Sequence, residues 1–251
     1  MSDMPPPPPP NLGPPPGYVA YGGQGAAPQN IQPIKSISKA LVILLAIMIP
    51  LQIISVFSTL QIISKARDYL KGGSEDAFKN ASQVNIGSLG GLLVIPIAVL
   101  TIIWMYRMAR NLRALGRAGA TWAPGWAIGG WFVPPCVIYA VPWLMFRELW
   151  KGSDPAVGFG DPGWKTGKVS PLITLWWVLY GLLPLAGVAT SANVLTQMKN
   201  SSSSTEALAK QFDRFAVVNV VLSVIAVGTV VVYLLLVRQL SARHMTATRE
   251  G

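Results

Sequence analysis

Four arginines form the clearest pattern of chemically capable side chains in this sequence. On a helix, Arg107, Arg110, Arg113 and Arg117 would lie within an arc of about 120°, with apolar residues on the opposite side. Such a basic stripe suits an anionic membrane surface, where each basic residue contributes about 1 kcal/mol. The four arginines are therefore candidate contacts for anionic lipid headgroups. A simple topology anchor, without a specific ligand, is the favoured alternative.

The other residues that could do chemistry do not form a recognisable site. The single histidine, His244, lies in the predicted C-terminal tail, where a histidine is usually solvated. Cys136 is alone, which excludes a disulfide or a cysteine-based zinc site within one chain. The glycines of residues 158–163 match a dinucleotide-binding spacing, but Pro162 lies inside it and no strand precedes it. We therefore expect no catalytic, cofactor-binding or metal-binding residues, no cofactor and no enzyme activity.

Long apolar runs without Asp, Glu, Lys or Arg dominate the rest of the sequence. A run of 25 helical residues rises about 37 Å, enough to cross a hydrocarbon core of about 30 Å. Only 12% of the residues are charged, against about a quarter in soluble domains. The pattern predicts a membrane protein with several spans. The charge-free runs cover residues 40–64, 80–106, 118–146, 169–198 and 215–237.

The distribution of Lys and Arg favours four spans over five. If the run 118–146 crosses the membrane, the 20 basic residues divide into 9 inside and 11 outside. If it does not cross, they divide into 13 inside and 7 outside. Basic residues in short loops concentrate on the cytoplasmic side. We therefore predict four spans, with the N- and C-termini both in the cytoplasm.

The run 118–146 contains residues that interrupt a membrane helix. Pro134 and Pro135 each lack a backbone donor, and broken backbone at membrane depth needs cover from protein or water. Trp126 and Trp131 favour the headgroup level of a bilayer. The sequence therefore predicts a re-entrant or interfacial segment over residues 122–150, with these four residues as its candidate site.

The predicted fold is all-α, a polytopic membrane helical bundle of four transmembrane helices with this Trp/Pro-rich segment. Residues 1–34 form a Pro/Gly/Tyr-rich tail that we expect to be disordered, because it has little apolar surface to bury. Residues 35–251 form the multi-pass membrane domain. Its spans are predicted near residues 40–64, 87–106, 171–195 and 215–237.

The proline-rich tail and the basic charge suggest different partners. The unbroken prolines of residues 5–10 favour polyproline II, which docks into aromatic-lined grooves of protein partners. A solvated tail without a dedicated partner is an equally good interpretation. The net charge is +10, and the basic residues lie beside apolar runs. We therefore expect the lipid bilayer and anionic headgroups as partners and no nucleic acid. The oligomeric state stays open.

The central part of the chain carries several distinctive short motifs. They are YRxxRNLRALG at Tyr106–Gly116, PGWAxG at Pro124–Gly129, WFVP at Trp131–Pro134 and RELW at Arg147–Trp150. Because of these motifs, the sequence resembles a bacterial membrane protein family, common in actinobacteria, known as domain of unknown function 4328. The resemblance extends over most of residues 35–240 and implies a multi-pass protein of the bacterial plasma membrane, without implying an activity.

Two functions of different classes fit these features. The first is a non-enzymatic membrane interaction or scaffold protein, whose proline-rich tail docks partners. The alternative is a pore or carrier for neutral or anionic solutes, because the run 118–146 is broken. No acidic residue lies inside an apolar run, which disfavours proton-coupled transport.

Overall fold

The computed structural model describes residues 30–83, 88–132, 140–181 and 205–250, and every regular element in these ranges is helical. The all-α prediction is therefore confirmed for this part of the chain. One of these elements is a short 3-10 helix, Pro162–Thr166. The α-helices are α1 Lys35–Leu70, α2 Glu75–Gln83, α3 Ser88–Ala114, α4 Trp126–Gly129, α5 Ala140–Gly152, α6 Pro171–Gly181, α7 Thr205–Arg214 and α8 Ala216–Thr248.

Three helices in the described ranges are long and apolar enough to cross a membrane: α1, α3 from Gly90 onward, and α8. The prediction of four such helices is wrong for this part of the chain. The predicted span 171–195 starts as α6, whose described part, Pro171–Gly181, measures about 16 Å at 1.5 Å per residue. The rest of that predicted span lies outside the described residues.

The three long helices expose a broad apolar surface, as expected for a protein in contact with lipid. In the most apolar window of each helix, only 17 to 28% of the residues are buried inside the protein. Several hydroxyl groups within these helices bond to carbonyls of their own helix; Thr59 donates to Ser55 O and Thr229 to Ile225 O. These hydroxyl groups are therefore satisfied without water.

The ends of the long helices meet in a fixed arrangement. The carboxylate of Glu250, just beyond α8, accepts hydrogen bonds from the backbone N–H groups of Ile34 and Lys35, at 2.9 and 2.8 Å. Arg107, near the end of α3, donates to Pro33 O at 2.7 Å. We call this side, where α1 begins and α3 and α8 end, the proximal end. The opposite side is the distal end.

The main core lies toward the proximal end and is rich in aromatic rings. Trp176 of α6 packs against Phe146 of α5 and stacks on Tyr233 of α8, with ring centroids 5.0 and 5.3 Å apart. Tyr233 shares a 2.7 Å hydrogen bond with Thr101 of α3. The core therefore joins α5 and α6 to two of the long helices.

The helix α5 falls within the segment predicted as re-entrant or interfacial. Its apolar face is buried in the core, and Met145, Phe146 and Leu149 are at most 1% exposed. It is thus packed against protein. No described residue of 122–132 forms a regular helix longer than the single turn α4.

The distal end carries a small helical lobe built from segments that lie between the predicted spans. Helices α2 and α7 pack on the last turns of α1 around Ile62, Ala66, Phe78 and Ala209. Arg67 forms a 2.7 Å ion pair with Asp213. The lobe can form because α1 continues well beyond its apolar stretch.

Candidate anion-binding cleft at the proximal end

A cleft of about 690 Å³ lies beside the last turns of α3 at the proximal end. One wall consists of Tyr106, Arg110, Arg113 and Ala114, which share a face of the helix because they recur at helical spacing. Residues 123–125 form the facing wall, and Asn30 completes the lining. The volume falls within the range of about 300–1,000 Å³ typical of ligand sites.

Arg110 and Arg113 are the charged residues of this cleft, and both are exposed. Neither takes part in an ion pair or hydrogen bond with any residue that the structure describes. The lining contains no acidic residue. Two guanidinium groups one turn apart can therefore bind an anion without giving up a protein contact.

Arg107, the first arginine of the predicted stripe, has a different environment. Its side chain is partly exposed and donates to the carbonyl of Pro33. It thereby connects α3 to the residues that precede α1. It does not line the cleft.

Arg117 is the exception among the four predicted lipid contacts, because its side chain is only 3% exposed. Its guanidinium donates to the carbonyls of Gly152, Asp154, Val157 and Gly158. Burial lowers the pKa of Arg117, while the charges of Asp161 and Asp154 act in the opposite direction. Arg117 therefore organises a loop and is not available to a lipid headgroup.

Arg117 does not continue the arginine stripe because α3 ends before it. The helix stops at Ala114, and Gly116 turns the chain with φ +68°, a conformation that favours glycine. A Cβ at Gly116 would lie only 2.9 Å from the backbone nitrogen of Gly160. Helical spacing therefore does not extend to Arg117, which points toward a different part of the protein.

The facing wall of the cleft is positioned by α5. Glu148 accepts hydrogen bonds from the backbone N–H groups of Thr121 and Trp122, at 2.7 and 3.0 Å. Pro124 is buried, whereas Gly125 is exposed. The carboxylate of Glu148 thus fixes the loop that precedes residues 123–125.

A buried polar cluster lies behind the cleft, on the inner side of α3. The side chain of Asn111 pairs with both backbone groups of Gln32, accepting from its N–H at 2.7 Å and donating to its carbonyl at 2.9 Å. Asn111 Nδ2 also lies 3.0 Å from His244 Nε2, and His244 Nδ1 lies 2.7 Å from Ser153 Oγ. Asn111, His244 and Ser153 are all fully buried.

The sequence predicted a solvated His244, and this prediction is wrong because α8 continues to Thr248 and carries the ring into the cluster. The pairing with Gln32 orients the Asn111 amide, so His244 Nε2 accepts a hydrogen bond. The ring proton is then on Nδ1 and is donated to Ser153 Oγ. Such a serine is not activated as a nucleophile, since a nucleophile must donate its proton to the base. The cluster joins α3, α5 and α8.

A second, partly exposed link connects the residue after Ser153 to α8. Arg243 forms a 2.6 Å ion pair with Asp154, donates to Trp150 O and lies over the Trp150 ring. Sequence reasoning did not single out Arg243 or Asn111. The motif position of Asn111, within RNLRALG, is the only signal in the sequence that could have indicated its role.

The two described residues proposed for the re-entrant segment contact different aromatic partners. Trp126 is 43% exposed and contacts Trp122 edge to face, with centroids 5.6 Å apart. Trp131 is partly buried and contacts Tyr180 at 6.2 Å. Pro134 and Pro135 lie outside the described residues.

The described ranges contain no group of three or more His, Cys, Asp or Glu side chains that could hold a metal ion. At the proximal end, Arg110 and Arg113 have no ion pair or hydrogen bond among the described residues, and they lie beside a well-packed polar network. The cleft is therefore a candidate anion-binding site.

Comparison with known proteins identifies a family without a known activity. No curated protein and no solved structure matches the chain. Residues 73–242, which make up more than half of the chain, match the family model described as Domain of unknown function (DUF4328). These residues include α3, the cleft arginines and most of α8. The chain therefore belongs to the DUF4328 family.

Proposed function

We propose that this protein is a non-enzymatic membrane interaction or scaffold protein, which holds the end of its N-terminal tail, where α1 begins, at the cytoplasmic face of a bilayer. The observation that carries the proposal is the fixation of residues 32–35. The side chains of Asn111, Arg107 and Glu250, from widely separated parts of the chain, bond to their backbone groups. A docking tail that leaves from a fixed point would present its partner at a defined position.

A fourth membrane crossing is part of this proposal. Trp164 donates to Ala118 O near the proximal end, whereas Thr205 donates to Glu75 of the distal lobe. The chain between Trp164 and Thr205 therefore connects the two ends. α6 provides the first part of the connection, and four crossings place both termini on the same side. The excess of basic residues at the proximal end supports the cytoplasm as that side.

Cysteine labelling in intact cells tests this orientation. Cys136 is first replaced by Ser, and single cysteines are introduced by Lys71→Cys at the distal end and Ala156→Cys at the proximal end; both positions are exposed. An impermeant maleimide should label only the Lys71→Cys variant until the cells are opened. Labelling of Ala156→Cys in intact cells would overturn the orientation.

The interaction role is tested by affinity capture from membranes. The full chain and a variant lacking residues 1–29 are compared, with the deletion chosen to leave Gln32 and the rest of the fixed segment intact. Partners should be lost with the deletion. Identical partner lists would show that the tail is not a docking element.

The alternative, a pore or carrier for neutral or anionic solutes, remains a hypothesis from the sequence. The broken part of its segment includes residues 133–139, which lie outside the described residues. Solute flux into proteoliposomes that responds to Trp131→Ala would favour it over the scaffold.

A further inference from the structure

We propose that the cleft binds the phosphate of an anionic phospholipid headgroup, and that the exposed face of α3 holds one of its acyl chains. This inference rests on the proposed placement of the proximal end at the membrane surface. It goes beyond that function, because it assigns a specific lipid site to two residues. The occupant is a lipid of the leaflet on the proximal side.

The headgroup part of the site consists of Arg110 and Arg113. Both line the cleft, both are exposed, and neither has an ion pair or hydrogen bond within the described parts of the chain. A guanidinium presents several N–H donors in a plane and can bind two phosphate oxygens at once. Arg107 and Arg117, by contrast, donate to backbone carbonyls.

A strip of exposed apolar residues continues from the cleft toward the distal end. With 100° per residue, the strip and the two arginines lie within an arc of about 80° on α3. The exposed fractions are 72% for Leu92, 72% for Ile95, 48% for Val99 and 38% for Ile103. Tyr106 lies between the strip and Arg110.

The dimensions match a lipid in one leaflet. Val99 lies 11 residues before Arg110, a rise of about 16 Å, and half of a hydrocarbon core of about 30 Å is about 15 Å. The charge-free run 80–106 ends at Tyr106, which lines the cleft. A phosphate at Arg110 would thus be at the headgroup level, with an acyl chain along Ile103 and Val99. This continuity favours a lipid over a free phosphate.

Native mass spectrometry of the full-length protein, released from detergent with defined lipids, tests the site. Phosphatidylglycerol should bind more tightly than phosphatidylcholine, and R110Q/R113Q should weaken phosphatidylglycerol binding by about tenfold or more, since two charge-assisted bonds are lost. The control R238Q/R249Q removes the same charge from exposed proximal residues and should change binding by less than about twofold. Equal losses in the two variants would overturn the site.

A charge-conserving variant separates a built site from general attraction. R110K/R113K keeps both positive charges but loses the planar donor geometry, so phosphatidylglycerol binding should fall by at least about threefold. Binding equal to that of the unmodified protein would mean that diffuse charge alone holds the lipid. Circular dichroism of each variant checks that the helices are retained.

A third arm identifies the source of the phosphate. Glycerol 3-phosphate is added without lipid and then in competition with phosphatidylglycerol. The proposal expects weak binding of glycerol 3-phosphate, because the strip on α3 remains empty. If glycerol 3-phosphate binds with the same dependence on Arg110 and Arg113, and phosphatidylglycerol does not, the lipid proposal is overturned. Cysteine labelling tests the membrane orientation independently. A failure of the lipid site can therefore be distinguished from a failure of the proposed orientation.

Discussion

The proximal and distal ends of this protein are held together by different means. At the proximal end, many polar contacts are buried or partly buried and join residues far apart in the chain, as in the pairing of Asn111 with Gln32 and His244. At the distal end, α2 and α7 are joined to α1 by a small core and by exposed ion pairs such as Arg67–Asp213. Buried hydrogen bonds are costly to break, whereas exposed ion pairs contribute little. The proximal end should therefore be the more rigid part.

Removing the Asn111 side chain should give the largest effect. Asn111→Ala leaves both backbone groups of Gln32 and the Nε2 atom of His244 without partners in a buried site. We expect a loss of about 3 kcal/mol in the free energy of unfolding. Denaturant unfolding in detergent micelles measures it. The control Asn80→Ala, on exposed α2, should stay within about 0.5 kcal/mol; a similar loss in both would contradict the comparison.

Arg117→Lys should give the second-largest loss of stability, because lysine cannot reach four carbonyls at once. We expect a loss of about 2 kcal/mol and faster proteolysis of the loop at residues 153–161. Limited proteolysis in detergent, read by mass spectrometry, measures the cleavage rate. Arg113→Lys is the matched control, since Arg113 has no described protein partner. Equal cleavage rates would mean that Arg117 does not hold the loop.

The ion pair of the distal lobe should have a small effect. The side chains of Arg67 and Asp213 are 54% and 44% exposed, so we expect a coupling energy below about 1 kcal/mol that decreases further in salt. A double-mutant cycle with Arg67→Gln and Asp213→Asn measures it. A coupling energy above about 2 kcal/mol would mean that polar contacts stabilise the distal end as strongly as the proximal end.

The smallest effect concerns acid pH at the distal end. Hydrogen bonds from Lys79 and Thr205 hold the pKa of the Glu75 carboxyl below its ordinary value of 4.5. The stabilisation is therefore complete above pH 4.5 and is lost as the pH falls through the lowered pKa of the folded state. Carbon NMR titration of the Glu75 carboxyl should show the lowered pKa, and Thr205→Val should raise it. An unshifted pKa in the unmodified protein would refute this assignment.

The sequence predicted which residues lie in the apolar layer more accurately than it predicted where the helices end. The charge-free run 40–64 falls within α1, and most of the runs 80–106 and 215–237 falls within α3 and α8, because a lipid-exposed helix excludes charge. The ends were missed, since α1 and α8 continue through charged residues to Leu70 and Thr248. Charge marks where a helix leaves the apolar layer, and it does not mark where the helix ends.

The cleft arginines show the same limit on a smaller scale. Helical spacing correctly grouped Arg110 and Arg113, because both lie within α3. It failed for Arg117, which follows the turn at Gly116. The capping of α1 by Glu250 could not have been predicted, because the partners are 215 and 216 residues apart and no local pattern connects them.

The length of α1 has a mechanical consequence. Its 36 residues extend over about 54 Å, so one continuous rod carries the proximal network at one tip and the distal lobe at the other. Backbone hydrogen bonds join the successive turns of this helix, except that Pro50 has no N–H to donate. A displacement imposed on Lys35 would therefore be transmitted along a single helix to Arg67, with Pro50 as the point at which that helix bends most easily.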